Sequence, residues 1–290
     1  MTNSNILKGS LLALLAFFFM AIFGILTKIA LEEASIIWIS FLAYLAGTCT
    51  LSVFILPKGL AYLKSTHYPY LFGRALFGTA ASFFYTISLH YIPIVNGTLL
   101  FNTAPIFIPL LAVLFLHTKI QKAIWYAVAL GFVGIIVIIQ PTEAIFTQTG
   151  NLIALCSGIA LAIAYLLMKL LTSSDPGDRI IFYYLGIGTL CQLPLLYFGG
   201  DAPHLSGCLW ALLSGIFLLG AQIALVNAYH YASASEVGVY QYTSVIFVGI
   251  LEWLIWNTVP NSWDLLGVLL VMIAGVIIIR YGTLNHDQST

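Results

Sequence analysis

Leu89-His90-Tyr91-Ile92-Pro93 stands between two apolar stretches, and Tyr229-His230-Tyr231-Ala232-Ser233 stands between two more, 140 residues later. Lys28 and Lys169 repeat that offset to within one residue, each near the end of the helix that opens its half. The chain therefore reads as two copies of one five-helix unit. Five is odd, so the second copy enters the membrane from the opposite side. Inverted-topology repeats of this kind build many secondary transporters.

The composition agrees with a membrane chain. Hydrophobic residues make up 61% and charged residues 7%, against roughly 25% charged in a soluble domain. A bilayer core about 30 Å thick needs about 20 apolar residues per helix. Runs free of Asp, Glu, Lys and Arg supply that length repeatedly, at 9–27, 34–57, 75–118, 123–142, 144–168, 180–200 and 202–235. The run at 75–118 divides at His90–Pro93, because proline disfavours helix continuation. Ten helices are expected, at about 7–29, 35–56, 69–89, 93–117, 122–140, 150–171, 179–198, 206–229, 235–257 and 263–281. The repeats divide the chain into 1–141 and 142–290, the second ending in a short cytoplasmic tail.

Ten helices put both termini on one side. That side gathers Lys8, Lys58, Lys64, Arg74, Lys119, Lys122, Lys169, Arg179 and Arg280, and the other holds only Lys28. By the positive-inside bias, both termini are cytoplasmic. No cleavable leader is read at the N-terminus. Cys49, Cys156, Cys191 and Cys208 fall in or beside helices and are read as small buried apolar residues, not as a disulfide framework or metal site.

The motifs resemble the EamA family of the drug/metabolite transporter superfamily over nearly the whole chain. Arg74 to Gly78, running through to Pro93, resembles the family's third helix and the turn after it. Thr103-Ala-Pro105-Ile-Phe107 resembles its fourth helix, and Gly131-Phe-Val-Gly134 with Gln140-Pro141 the end of its fifth. Tyr242-Thr-Ser-Val-Ile-Phe247, Val259-Pro260 and Leu265-Leu-Gly267 resemble helices nine and ten. The resemblance implies an all-α integral membrane protein, ten transmembrane helices as two inverted five-helix repeats around a central cavity. It also implies small metabolites such as amino acids as substrates. The chain departs from the family pattern at Thr118 and Asn257, where a glutamate is common, at Tyr44, where helix two often carries arginine, and at Glu252.

Glu252 is the one acid well inside an expected span. A charge at that depth usually faces a partner or a wet cavity, so it reads as a ligand for a substrate amine or a proton carrier, or else as an interfacial residue between Trp253 and Trp256. Lys28 reads as a carboxylate ligand, a partner of Glu252 or a snorkelling cation. Arg74 and Lys169 read as cytoplasmic anchors. Asn102 and Tyr242 occupy equivalent positions in helices four and nine, as do Phe101 and Gln241. Such positions meet near the axis of an inverted repeat, and polar groups there must bond to substrate or to a neighbouring helix. Gln222, Tyr85 and Tyr165 complete the candidate substrate-binding set. Pro105 and Pro109 are candidate hinges, because each removes a backbone donor within helix four. Gly131, Gly134, Gly186, Gly188, Gly267 and Gly275 read as close-packing sites.

These features point to a secondary transporter in a bacterial inner membrane. It would move an amino acid or related zwitterion, adenosyl-methionine among the options, by alternating access with proton coupling or exchange. An intramembrane enzyme and an exporter of lipid-like compounds are the alternatives. No cofactor, metal or nucleic-acid partner is expected. The partners are a small-molecule substrate and membrane lipid, with the protein a monomer or a homodimer. No Gly-x-x-x-x-Gly-Lys-Ser/Thr stretch is present, which argues against an ATP-driven pump.

Overall fold

The computed structural model describes residues 3–88, 91, 94–117, 119–139, 149–257 and 262–281. The His90–Pro93 junction apart from Tyr91, Thr118, Gln140-Pro141 and Val259-Pro260 lie outside the described residues. Among those described there is no strand. The helices are α1 (Asn3–Ala30), α2 (Ile36–Ile55), α3 (Tyr68–Ser88), α4 (Ile94–Phe101), α5 (Ala104–Leu116), α6 (Lys122–Ile139), α7 (Thr149–Leu171), α8 (Gly177–Gln192), α9 (Leu205–Tyr231), α10 (Ala234–Val239), α11 (Thr243–Trp256) and α12 (Ser262–Tyr281). Seven segments among the described residues are long and apolar enough to cross a membrane. They are Leu7–Ala30, Ile36–Lys58, Thr98–Leu116, Thr149–Leu171, Gly177–Phe198, Leu205–Tyr231 and Ala234–Trp256. Lys122–Val137 and Leu265–Ile277 are shorter apolar helices. The protein is a multi-pass membrane protein.

Two expected helices are interrupted. The fourth is α4 and α5, separated at Asn102-Thr103. Pro105 sits in the first turn of α5, where its missing N–H costs little. The side chains of Asn102 and Thr103 turn back onto the carbonyls of Thr98 and Leu100. The break thus precedes Pro105, and Pro109 lies inside α5 without dividing it. The ninth is α10, a 3-10 turn at Tyr240–Tyr242, and α11. A capping box starts it: Ser233 Oγ accepts from the Glu236 N–H, and the Glu236 carboxylate accepts from the Ser233 N–H. Both α5 and α11 end on a left-handed residue, His117 at φ 52° and Asn257 at φ 54°. These two lie 140 residues apart, the same offset as the two His-Tyr junctions.

Helices pair across the two halves. α1 packs along α9, α3 along α7 and α6 along α12, while α2 lies between α8 and α9. Lipid supplies no hydrophobic drive between helices, so close approach at small residues must hold them. At Gly215 of α9, a Cβ would stand 2.2 Å from the backbone oxygen of Ala43 on α2. Gly134 meets Gly267 and Val271 in the same manner. Gly186, expected as a packing site, faces open space. Cys49, Cys156 and Cys191 are exposed on the surface of the bundle, not buried as the sequence reading has them. Cys191 borders a cavity, and a small side chain suits a position facing open space as readily as one in a core.

Candidate functional site

Tyr44 of α2 and Tyr184 of α8 meet at the centre of the bundle, hydroxyl to hydroxyl at 2.7 Å. They are 140 residues apart in sequence. Their rings lie edge to face with centroids 5.5 Å apart. Tyr44 fits because Gly188 of α8 has no side chain, and a Cβ there would stand 2.4 Å from its ring. About one turn further along each helix, Thr48 and Thr189 share a hydrogen bond of 3.1 Å.

Below this pair lies Arg74 of α3, only 2% exposed. Its guanidinium stacks on the Tyr184 ring at 4.1 Å. Nη2 donates to Gln222 Oε1 at 3.0 Å. Nε and Nη1 have no hydrogen-bond partner. Tyr165 and Tyr229 lie close enough for the guanidinium charge to act on both, with their rings 6.2 Å apart. None of the ion pairs among the described residues includes Arg74. Arg74 is therefore not the headgroup anchor that its place near a helix end suggests. Lys169 likewise turns inward, its Nζ donating to the Tyr229 carbonyl.

A cavity of about 330 Å³ opens beside the tyrosine pair, between α2, α3 and α8. Tyr44 forms part of its wall with Ile37, Leu76, Phe83, Cys191 and Gln192. Its lining is mostly apolar.

A second buried contact joins the two interrupted helices. Gln241 Nε2 donates to Asn102 Oδ1 at 3.3 Å. Tyr242, the expected counterpart of Asn102, is fully buried with its hydroxyl unpartnered. Its ring instead covers Gly131 of α6, where a Cβ would stand 2.3 Å away. The 3-10 turn explains the exchange, since a tighter turn rotates successive side chains differently from an α-helix. Tyr85 donates to or accepts from Thr98 at 2.9 Å, and its ring packs on Phe101. The structure brings Gln222 and Tyr165 together around Arg74 and Asn102 with Gln241, and it keeps Tyr85 with α4.

Lys28 and Glu252 form an ion pair of 2.6 Å. The lysine also lies 4.5 Å over the Trp256 ring. The two charges neutralise each other at a partly exposed position, apart from the buried groups. At the opposite end, the segment before α3 is tied to the start of α8. Lys58 pairs with Asp178 at 2.5 Å, and the Tyr62 hydroxyl donates to the same carboxylate at 2.6 Å. Arg179 pairs with Asp175 at 2.7 Å and donates from Nε to the Tyr62 carbonyl. Burial pushes the Asp175 carboxyl up, but hydrogen bonds from Arg179, Ser65 and Ser174 outweigh it and hold it below the usual carboxylate range.

The model of the EamA-like transporter family matches residues 7–140 and 148–281. The chain belongs to that family. EamA-like proteins of this kind are transporters of the drug/metabolite type, not enzymes. This EamA-like chain is 27% identical over 276 residues to a pseudopaline exporter of Pseudomonas aeruginosa, covering 94% of this chain and 96% of the relative. It is 27% identical over 194 residues to a riboflavin transporter of Vibrio cholerae, covering 66% and 64%. It is 23% identical over 249 residues to an S-adenosylmethionine uptake transporter of Rickettsia bellii, covering 83% and 82%. A crystal structure at 18% identity superposes with a TM-score of 0.80, over 96% of this chain and 98% of the other. At that identity the likeness is one of fold.

Proposed function

We propose that this EamA-like transporter is a secondary carrier that moves a small polar metabolite by alternating access. Residues 1–141 and 142–290 form two inverted five-helix repeats, ten spans in all, around a central site. One observation carries the reading. Residues one repeat apart touch each other in the interior at Tyr44–Tyr184, and Thr48–Thr189 and Asn102–Gln241 touch within one residue of that offset. In an inverted repeat, equivalent positions meet only along the pseudo-two-fold axis, where carriers of this design hold substrate near the midplane.

The two ends of the bundle support the same reading. One end is held by Lys58, Tyr62, Asp175, Asp178 and Arg179, and the other by Lys28 and Glu252. Each set joins a segment of one half to a segment of the other, as gates that open in turn must. The excess of cations on the first end makes that end cytoplasmic, with both termini on it, in a bacterial inner membrane. An amino acid or related zwitterion is the substrate class, with proton coupling or exchange driving it. Pro105 and Pro109 follow the bend at Asn102-Thr103 that would flex. The apolar cavity lining favours, as a second reading, export of a more hydrophobic compound.

Cys191 lines the cavity and provides the test. In a variant with Cys49, Cys156 and Cys208 replaced by alanine, a membrane-impermeant maleimide is applied to either face. A carrier exposes Cys191 from the outer face while the Lys58–Asp178 end is closed. Labelling of one population from both faces at once, or from neither, overturns the carrier reading.

A further inference from the structure

We propose that Arg74 is the carboxylate-binding group of this transporter, and that its substrates are monocarboxylates carrying an apolar side group. The inference rests on the carrier reading and names the substrate class of its site.

A guanidinium buried without a counter-ion carries a desolvation penalty of several kcal/mol. What surrounds Arg74 reduces that penalty without cancelling its charge. The Gln222 amide accepts one hydrogen bond at 3.0 Å, and the Tyr184 face offers a cation–π contact at 4.1 Å. Neither brings a negative charge. Nε and Nη1 are buried and unsatisfied, and so is the hydroxyl of neighbouring Tyr229. Buried donors left open in this way are uncommon in folded proteins and call for a partner. The arrangement is a cationic fork with free N–H groups in a low-dielectric setting, which suits a planar carboxylate.

Charge count narrows the ligand further. One guanidinium neutralises one negative charge, so a carboxylate leaves the site neutral and a phosphate dianion leaves it charged. Space narrows it again. The cavity of about 330 Å³ has Tyr44 in its wall and presents Ile36, Ile37, Leu76, Ala80, Phe83 and Leu195. A ligand whose apolar group occupies that space reaches Arg74 once the two tyrosine hydroxyls part. Gly78 makes room for the guanidinium against Tyr184: a Cβ there would stand 2.3 Å from Arg74 Nη1 and 2.8 Å from the Tyr184 ring. Lys28 is not the carboxylate ligand in this scheme, because Glu252 already neutralises it.

The test compares phenylacetate with phenylacetamide, matched in shape and different in charge. Thermal unfolding of the purified full-length protein is followed in detergent with each probe. The expected result is a saturable rise in the unfolding midpoint with phenylacetate and none with phenylacetamide. Arg74→Lys, which keeps the charge and loses the fork, is expected to weaken phenylacetate at least tenfold, and Arg74→Gln to abolish its effect. Equal behaviour of the two probes in the wild type, no effect of either, or unweakened phenylacetate binding by Arg74→Lys overturns the proposal. The wild-type comparison stands even if Arg74→Gln fails to fold. Cys191 labelling reports on the carrier reading separately, so labelling that behaves as expected beside a failed probe test removes only the Arg74 assignment.

Discussion

Gly215→Ala is the substitution from which the structure yields the sharpest number. The new methyl would stand 2.2 Å from the Ala43 carbonyl oxygen, 2.8 Å from the Ala43 Cα and 2.9 Å from its carbonyl carbon. Those atoms are backbone, so no side chain can swing away, and α2 and α9 must separate by roughly an ångström. Overpacking of this sort costs about 1–3 kcal/mol. The displaced residue is the neighbour of Tyr44, so the same strain reaches the Tyr44–Tyr184 contact and should lower transport as well as stability. Gly24→Ala is the control, because nothing lies within 4 Å of its would-be Cβ. The measurement is denaturant unfolding of both variants in detergent, followed by fluorescence. Gly215→Ala should be less stable than wild type by the stated amount, and Gly24→Ala should match wild type or exceed it. A Gly215→Ala protein as stable as wild type would refute the close approach of α2 and α9.

Other expectations concern charged and polar contacts. Asn102→Ala leaves Gln241 without its partner and should cost about 1–3 kcal/mol. A double-mutant cycle with Gln241→Ala should return a coupling of about 0.5 kcal/mol or more, and a zero coupling would deny the contact. Lys28→Met and Glu252→Gln should each impair transport by leaving one charge unpaired, and the double variant should recover activity in the same uptake assay. Asp175 is held low by its hydrogen bonds, so its stabilisation is complete above the ordinary carboxylate range and disappears as pH falls through the lowered value. Asp175→Asn should therefore be less stable than wild type at neutral pH and show a shallower acid limb when unfolding is measured across pH.

The membrane character of the chain and the exchange of partners between its halves were legible in composition, charge placement and the 140-residue offset. Those signals depend on one-dimensional patterns that a bilayer enforces. The interior chemistry was less legible. Arg74 stands six residues after the start of α3, a place from which a long cation ordinarily reaches the headgroups, so only the packed helices reveal that it turns inward onto Tyr184 and Gln222. Gly78, one turn further along, was the available clue, since a missing side chain there leaves room for the guanidinium. The Asn102 partner was misplaced by one residue because a 3-10 turn at Tyr240–Tyr242 alters the side-chain register. Lys28 with Glu252 was foreseeable, because each was a lone charge in its part of the sequence. The interruption at Asn102-Thr103 was anticipated in kind by two prolines and displaced from them, as proline acts on the turn that precedes it.

The most direct test of a carrier that binds a carboxylate on the axis between its halves does not require a known substrate. Proteoliposomes holding the purified protein are loaded with a microbial cell extract, and the compounds that leave are identified by mass spectrometry against protein-free vesicles. The account predicts that a small set of carboxylate-bearing metabolites leaves at a saturable rate, and that Arg74→Lys slows their exit. Exit of no compound, or of many unrelated solutes together, would contradict it.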